Sequence, residues 1–239
     1  MKKILAIVSS RKGRESNTYK ISKILLDRLI EQTTDISYDI ITPNEYLINN
    51  CLSCNNCFTN GICAQDQKDD MSKIKGMIED SNFIILGTPV FAHNVSGDMK
   101  AFIDRISYWL HIYKLNNKFS ATITTSTSNG NLYVNNYLKK VLTLMGTYNI
   151  FDIEFTTVEP NLFQDDNFMT NELNNYINTI KTHLDSMDFK SNIMQENAFQ
   201  HLKFSIQEYP HNNAEYKYWE NNKIFECNSY QEYLLKNKE

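Results

Sequence analysis

The chain has 239 residues, of which 41% are hydrophobic and 22% are charged, and its net charge at neutral pH is −4. This composition supports a buried core, and the acidic balance argues against a nucleic-acid partner held by bulk positive charge. No apolar run approaches the length of a membrane span and no signal-peptide pattern is present, so we expect a cytoplasmic protein without a membrane partner. Five cysteines in such a protein indicate metal or redox chemistry rather than a disulfide framework.

Five short apolar or alternating segments predict β-strands, at residues 3–8, 36–41, 82–86, 119–125 and 150–156. Helical periodicity is found between the strands, with helices predicted over residues 19–29, 71–78, 99–109, 132–144 and 171–187. Strands that alternate with helices predict an α/β fold, a doubly wound parallel sheet with right-handed crossovers.

The loop after the first strand is rich in hydroxyl and basic side chains, and it leads into the start of a helix. A helix N-terminus has unpaired backbone N–H groups and a partial positive charge, which favours the binding of a phosphate. The loop lacks the G-x-x-x-x-G-K-[ST] and G-x-G-x-x-G patterns, which disfavours a nucleoside triphosphatase and a Gly-rich dinucleotide fold. The alternative interpretation is an ordinary helix cap, with Ser16 or Asn17 at the N-cap position.

Two further strand ends are followed by loops rich in hydroxyl, Gly and Asn residues, at residues 87–97 and 124–130. Ligands in doubly wound sheets bind outside the carboxyl ends of the strands. We therefore expect the three loops to form one site, which favours a ligand over a simple helix cap.

Several motifs taken together resemble a known family. They are Cys51-x2-Cys54-x2-Cys57-x5-Cys63, Asp69-Asp70-Met71, Gly87-Thr88-Pro89-Val90-Phe91, Asn94-Val95-Ser96-Gly97 and Lys100-Ala101-Phe102-Ile103-Asp104-Arg105. In this combination the chain resembles the NAD(P)H-dependent FMN reductase group of the flavodoxin-like superfamily, and within that group the iron–sulfur flavoproteins. The resemblance implies a flavodoxin-like five-stranded sheet of order 2-1-3-4-5. Residues 1–187 would form the FMN-binding domain, and residues 188–239 an aromatic-rich C-terminal extension.

The resemblance also implies FMN as the cofactor and NAD(P)H as the electron donor. By position, the FMN phosphate would be held by Ser9, Arg11, Ser16, Asn17 and Thr18. The isoalloxazine ring would be lined by Pro89, Val90, Phe91 and Asn94, and its opposite edge closed by Thr125, Ser128 and Gly130. A planar redox ring needs an apolar or aromatic wall, which Phe91 would provide unless it is a core aromatic. His93, in the same loop, is either a proton donor near the ring or a solvent-facing histidine.

Four cysteines, Cys51, Cys54, Cys57 and Cys63, lie within thirteen residues and could chelate one metal centre. The compact C-x2-C-x2-C run is typical of [4Fe–4S] ligation, whereas structural zinc usually uses two separated pairs. A cluster, a zinc ion and free thiols remain the three alternatives.

The extension after residue 188 is rich in aromatic residues and cannot form a core of its own. It must cover either its own domain or a partner subunit, and we expect the second, in a homo-dimer or tetramer.

The favoured function is an FMN-dependent oxidoreductase that takes hydride from NAD(P)H and passes electrons to a small-molecule or protein acceptor, which the sequence does not identify. One alternative is an iron–sulfur electron carrier with a ferredoxin-like partner. A second alternative is a redox- or metal-sensing module without turnover.

Overall fold

The computed structural model describes residues 1–156 and 166–236. Its strands form one all-parallel sheet in the order β2-β1-β3-β4-β5. They are β1 (Lys2–Val8), β2 (Ile36–Ile41), β3 (Phe83–Pro89), β4 (Phe119–Ser126) and β5 (Tyr148–Thr156). The predicted fold class and strand order are confirmed.

Ten α-helices are found in the described ranges. They are α1 (Asn17–Glu31), α2 (Asn56–Asn60), α3 (Met71–Glu79), α4 (Gly97–Arg105), α5 (Trp109–Ile112), α6 (Asn131–Leu144), α7 (Asp166–Ser186), α8 (Ile193–Gln207), α9 (Ala214–Asn221) and α10 (Tyr230–Lys236). None of these helices is both long and apolar enough to cross a membrane. Helices cover both faces of the sheet, so every residue of β4 is buried, as is β3 up to Thr88.

The structure corrects the helix predicted over residues 99–109. That segment is two helices, because α4 ends at Arg105 and α5 begins at Trp109. Ile106 leaves the helical conformation at φ −116°, and the Ser107 hydroxyl donates a hydrogen bond to the Asp104 carbonyl at 3.0 Å. The side chain thus satisfies a carbonyl at the end of α4, where the helix leaves its own carbonyls unpaired.

The C-terminal extension folds back over its own domain, which is the alternative that the sequence left open. Phe199, Trp219 and Tyr230 have no exposed surface, and the rings of Tyr230 and Tyr113 lie 4.6 Å apart. The Tyr230 hydroxyl donates to the carbonyl of Gly146 at 2.7 Å. Tyr113 and Gly146 precede β4 and β5, so the extension covers the amino ends of these strands. The homo-oligomer stays a prediction. Most of the aromatic residues that motivated it are buried or half-buried within the chain, while Phe204 is 73% exposed.

Candidate functional site

The three strand-end loops meet at the carboxyl edge of the sheet. The Ser9 N–H donates to the Gly87 carbonyl at 2.8 Å, and the Val90 N–H donates to the Thr125 carbonyl at 2.9 Å. The loops enclose a cleft of about 530 Å³, which is within the range of roughly 300–1,000 Å³ that small-molecule sites occupy. The sequence-based expectation of one shared site agrees with this geometry.

One end of the cleft is the start of α1. Ser16 is the N-cap of this helix, and its hydroxyl accepts a hydrogen bond from the Tyr19 N–H at 3.1 Å. The remaining N–H groups of the first turn have no acceptor within the helix, and the helix dipole makes this end positive. Ser10, Lys12 and Asn17 line the same end. This end of the cleft is suited to an anion, and Ser16 serves as the N-cap of α1 at the same place.

Besides Ser16, three of the side chains predicted to hold the phosphate are engaged with protein groups. The Ser9 hydroxyl is buried and bonds to the Ser96 hydroxyl, and the Thr18 hydroxyl is buried and bonds to that of Thr125 at 2.7 Å. The exposed Arg11 guanidinium donates two hydrogen bonds to the Asp98 carboxylate, at 2.7 and 2.9 Å. This pairing raises the pKa of Arg11. The sequence identified these residue types as donors but did not show which way each one faces.

The other end of the cleft is a tight hairpin that follows β3. Phe91 and Asn94 exchange two backbone hydrogen bonds of 2.9 Å, and the two residues between them have positive φ, 49° at Ala92 and 59° at His93. This is the mirror-image turn that suits a hairpin, formed here without Gly or Asn at its centre, so it holds backbone strain. The Phe91 side chain is 60% exposed and lines the cleft, whereas a core aromatic would be buried.

The loop after β4 forms the opposite edge. Thr125 lines the cleft, and Ser128 is exposed outside its lining. Gly130 has φ +96°, and a Cβ atom there would lie 2.8 Å from Val90 Cγ1. Glycine is therefore required for the hairpin to approach this loop. The exposed His93 ring stacks on Tyr133 at 5.4 Å between centroids.

Sequence reasoning did not assign Ser10, Lys12, Ser126 or Thr127, all of which line the cleft. Each is a direct neighbour of an assigned residue in the same loop. The available signal was their position immediately after a strand end, where side chains reach the shared edge of the sheet.

The cleft fits FMN by the chemistry of its lining. A phosphate would meet the positive start of α1 together with Lys12, and the isoalloxazine ring would meet the apolar walls of Val90 and Phe91. Glu15 also lines the phosphate end, but its carboxylate is 85% exposed and lies 3.7 Å from the Lys20 ammonium.

The four cysteines do not form one metal site in this structure. Cys51 and Cys54 are exposed, and Cys57 and Cys63 are half-buried. Burial raises the pKa of the Cys57 thiol, and the nearby Cys63 raises it further. In residues 1–156 and 166–236, no group of three Cys, His, Asp or Glu side chains is close enough to hold a metal ion. The four thiols as placed here do not converge on one point, and ligation of a metal centre by them stays a prediction.

A buried ionic network holds the cysteine segment against α4. The Arg105 side chain is fully enclosed and donates to the Asp66 carboxylate at 2.8 Å, to the Asn49 carbonyl at 3.0 Å and to the Asp69 carboxylate. Lys75 of α3 pairs with Asp66 from the other side. Burial opposes the charge of Arg105, but the carboxylates of Asp69 and Asp66 outweigh it and raise its pKa. Arg105 is thus a buried ion-pair residue.

Comparison with known proteins identifies the family. The sequence model of the NADPH-dependent FMN reductase family matches residues 2–159. The chain belongs to this family. An iron–sulfur flavoprotein of Archaeoglobus fulgidus is 30% identical over 125 residues, which cover 51% of this chain and 56% of that protein. The chain thus spans little more than half the length of this curated relative.

Two solved structures share the fold. An NADH:FMN oxidoreductase, in its apo form, superposes with a TM-score of 0.55 at 20% identity, covering 76% of this chain and 89% of that one. An FMN-dependent NADH-azoreductase of Bacillus anthracis, in complex with FMN, gives a TM-score of 0.57 at 16% identity, covering 75% and 99%. These comparisons confirm the resemblance and the flavodoxin-like architecture.

Proposed function

We propose that this chain is an FMN-dependent oxidoreductase that takes hydride from NAD(P)H and passes electrons to an acceptor. The observation that carries the proposal is the single cleft built by three strand-end loops, with the start of α1 at one end and Phe91 at the other. Membership of the FMN reductase family supports the same cofactor and the same electron donor.

Different residues of the cleft would contact different parts of FMN. Ser10, Lys12, Asn17 and the first-turn N–H groups of α1 would bind the phosphate. Val90 and Phe91 would orient the ring and exclude water from one side of it. Bound FMN would supply the hydride-accepting chemistry, and the protein would supply binding and orientation.

The first experiment measures flavin directly. Denatured protein is expected to release FMN, and the apo protein to take up one FMN with quenching of flavin fluorescence. Lys12→Ala should weaken FMN by roughly 3–10-fold and leave riboflavin unchanged, because riboflavin has no phosphate. Lys23→Ala is the matched control, since Lys23 is also a basic residue of α1, but it pairs with Asp27 and does not line the cleft. If the protein neither releases flavin nor takes up FMN, the proposal is wrong.

A second candidate function is an iron–sulfur flavoprotein that carries electrons to a ferredoxin-like partner. It is favoured by the four cysteines on one surface segment and by the iron–sulfur flavoproteins among the relatives. Anaerobic protein with brown absorbance and about four irons per chain, which exchanges electrons with ferredoxin but does not oxidise NAD(P)H, would support it.

The proposal keeps the division into an FMN-binding domain at residues 1–187 and an extension at residues 188–239. The cytoplasmic location, the homo-oligomer and the nature of the acceptor are predictions as well. None of them is needed for the flavin measurements above.

A further inference from the structure

Two threonine hydroxyls, one from a helix and one from a strand, meet at the wall of the cleft. Thr18 lies in the first turn of α1 and Thr125 near the end of β4, and their Oγ1 atoms are 2.7 Å apart. Thr18 has no exposed surface, whereas Thr125 is 5% exposed. The Thr18 methyl group packs over Gly87, where a Cβ atom would lie only 3.1 Å from Thr18 Cγ2. With its methyl group on Gly87, the Thr18 side chain directs its hydroxyl at Thr125.

Burial decides which of the two hydroxyls donates. A threonine hydroxyl has one hydrogen to donate and can accept at its oxygen. In the described part of the chain, Thr125 Oγ1 is the acceptor found for the Thr18 hydroxyl. If Thr125 donated instead, the Thr18 hydrogen would be buried without an acceptor, which is the costly arrangement. Thr18 therefore donates, and the hydrogen of the Thr125 hydroxyl is left to point elsewhere.

The geometry leaves one direction for that hydrogen. The Thr125 carbonyl already accepts the Val90 N–H at 2.9 Å, and the small exposed surface of Thr125 faces the cleft. We propose that buried Thr18 sets the Thr125 hydroxyl as a hydrogen-bond donor into the cleft, where it meets an acceptor oxygen or nitrogen of the bound flavin. The flavin part of this inference rests on the proposed function. Thr125 would contact the ligand, and Thr18 would act through it as a positioning residue.

The donor direction predicts unequal effects on stability in the apo protein. Thr125→Val removes the acceptor and leaves the Thr18 hydrogen buried without a partner, so the melting temperature should fall by roughly 3–10 °C. Thr18→Val leaves the Thr125 oxygen within reach of water in the cleft, so the fall should be less than about 3 °C. The double variant should melt close to Thr18→Val, because no hydroxyl is then stranded. Equal losses from the two single variants would overturn the donor direction.

Flavin binding tests the proposed contact between Thr125 and the flavin. Titration of apo protein with FMN should show affinity reduced by roughly 3–10-fold in Thr125→Val and in the double variant, with near-normal affinity in Thr125→Ser. If the double variant melts at a higher temperature than Thr125→Val but binds FMN no more tightly, the loss of affinity is due to the missing flavin contact and not to impaired folding. Thr124→Val is the control, because the Thr124 hydroxyl is buried on the same strand and has no hydrogen-bond partner among the described residues. It should not change FMN affinity.

The outcomes can be separated. Unchanged FMN affinity in the double variant would overturn the proposed contact with the flavin. Wild-type apo protein that takes up no FMN would overturn both the proposed function and the flavin contact. The donor direction is judged by the melting temperatures, which need no flavin.

Discussion

Arg105 is the residue whose removal should most disturb the cysteine segment. Its side chain lies at the end of α4 and is completely enclosed, and it joins Asp66, Asp69 and the carbonyl of Asn49. These three partners come from both ends of the segment that contains the four cysteines. Arg105→Met keeps a long apolar side chain in the same space but removes every one of these hydrogen bonds.

The magnitude follows from what the substitution leaves behind. The side chain of Asp69 has no exposed surface, so Arg105→Met leaves a buried carboxylate without its cation. Breaking one partner of a buried ion pair costs about 3–5 kcal/mol, a large share of the roughly 5–15 kcal/mol that stabilises a typical domain. The matched control is Lys100→Met, five residues earlier in α4. Its pair with Asp104 is exposed and contributes about 0–1 kcal/mol.

Urea denaturation of both variants measures the free energies of unfolding. Alkylation of the cysteines, followed by peptide mass mapping, then reports where the structure has loosened. In Arg105→Met we expect the half-buried Cys57 and Cys63 to react faster, while the already exposed Cys51 changes little. A free-energy loss within about 1 kcal/mol of the Lys100→Met value would refute the reasoning, because it would mean that Asp69 finds water or another partner at no cost.

Three further predictions concern other parts of the chain. Gly130→Ala forces a side chain into φ +96° and against Val90, so urea denaturation should show a loss of about 1–2 kcal/mol or more, whereas Gly76→Ala in α3, with open space around it, should gain about 0.5–1 kcal/mol. Burial opposes the ionisation of Asp69, but its hydrogen bonds outweigh burial and lower its pKa. Its stabilising contribution is therefore complete above the unfolded pKa of about 3.9 and is lost as the pH falls through the lower folded value, so hydrogen exchange in the cysteine segment should accelerate only below about pH 4. Trp219→Ala should cost about 3–5 kcal/mol in thermal unfolding, because the indole is fully buried; near-zero loss would mean that the extension is not packed on its domain.

The sequence predicts the sheet well because the strands are apolar runs. A continuously apolar run such as residues 83–86 is typical of a strand in a parallel sheet that is covered on both faces. The five-residue helix α2 was not predicted, because it lacks such an apolar pattern. It contains no buried residue, and its flanking residues Asn55 and Gly61 both have positive φ. A helix this short is not stable by its own propensity, so its existence depends on contacts that local sequence does not record.

The candidate site was likewise predictable from the sequence only in part. Composition identified the loops that meet, since hydroxyl, Gly and Asn residues follow three strands. It did not separate hydroxyls that face the cleft from those that hold the loops together, because Ser9 and Ser10 are the same residue type one position apart. Ser9 bonds inward to Ser96, and Ser10 lines the cleft. Likewise, the aromatic residues of the extension are equally suited to an interface and to a core, and only their position on the domain decides between the two.

Helix α4 connects the two features of this chain that carry chemistry. Its N-cap Ser96 bonds to Ser9 beneath the cleft, and Asp98 in its first turn holds Arg11. Arg105, its last residue, holds the cysteine segment. Nine helical residues span about 13 Å, so a rigid element of that length separates the loop at the cleft from the cysteine anchor. If α4 transmits displacement between them, Arg105→Met will weaken FMN binding as well as loosen the thiols. If FMN affinity stays at the wild-type value while the thiols loosen, the cleft and the cysteine segment are mechanically independent.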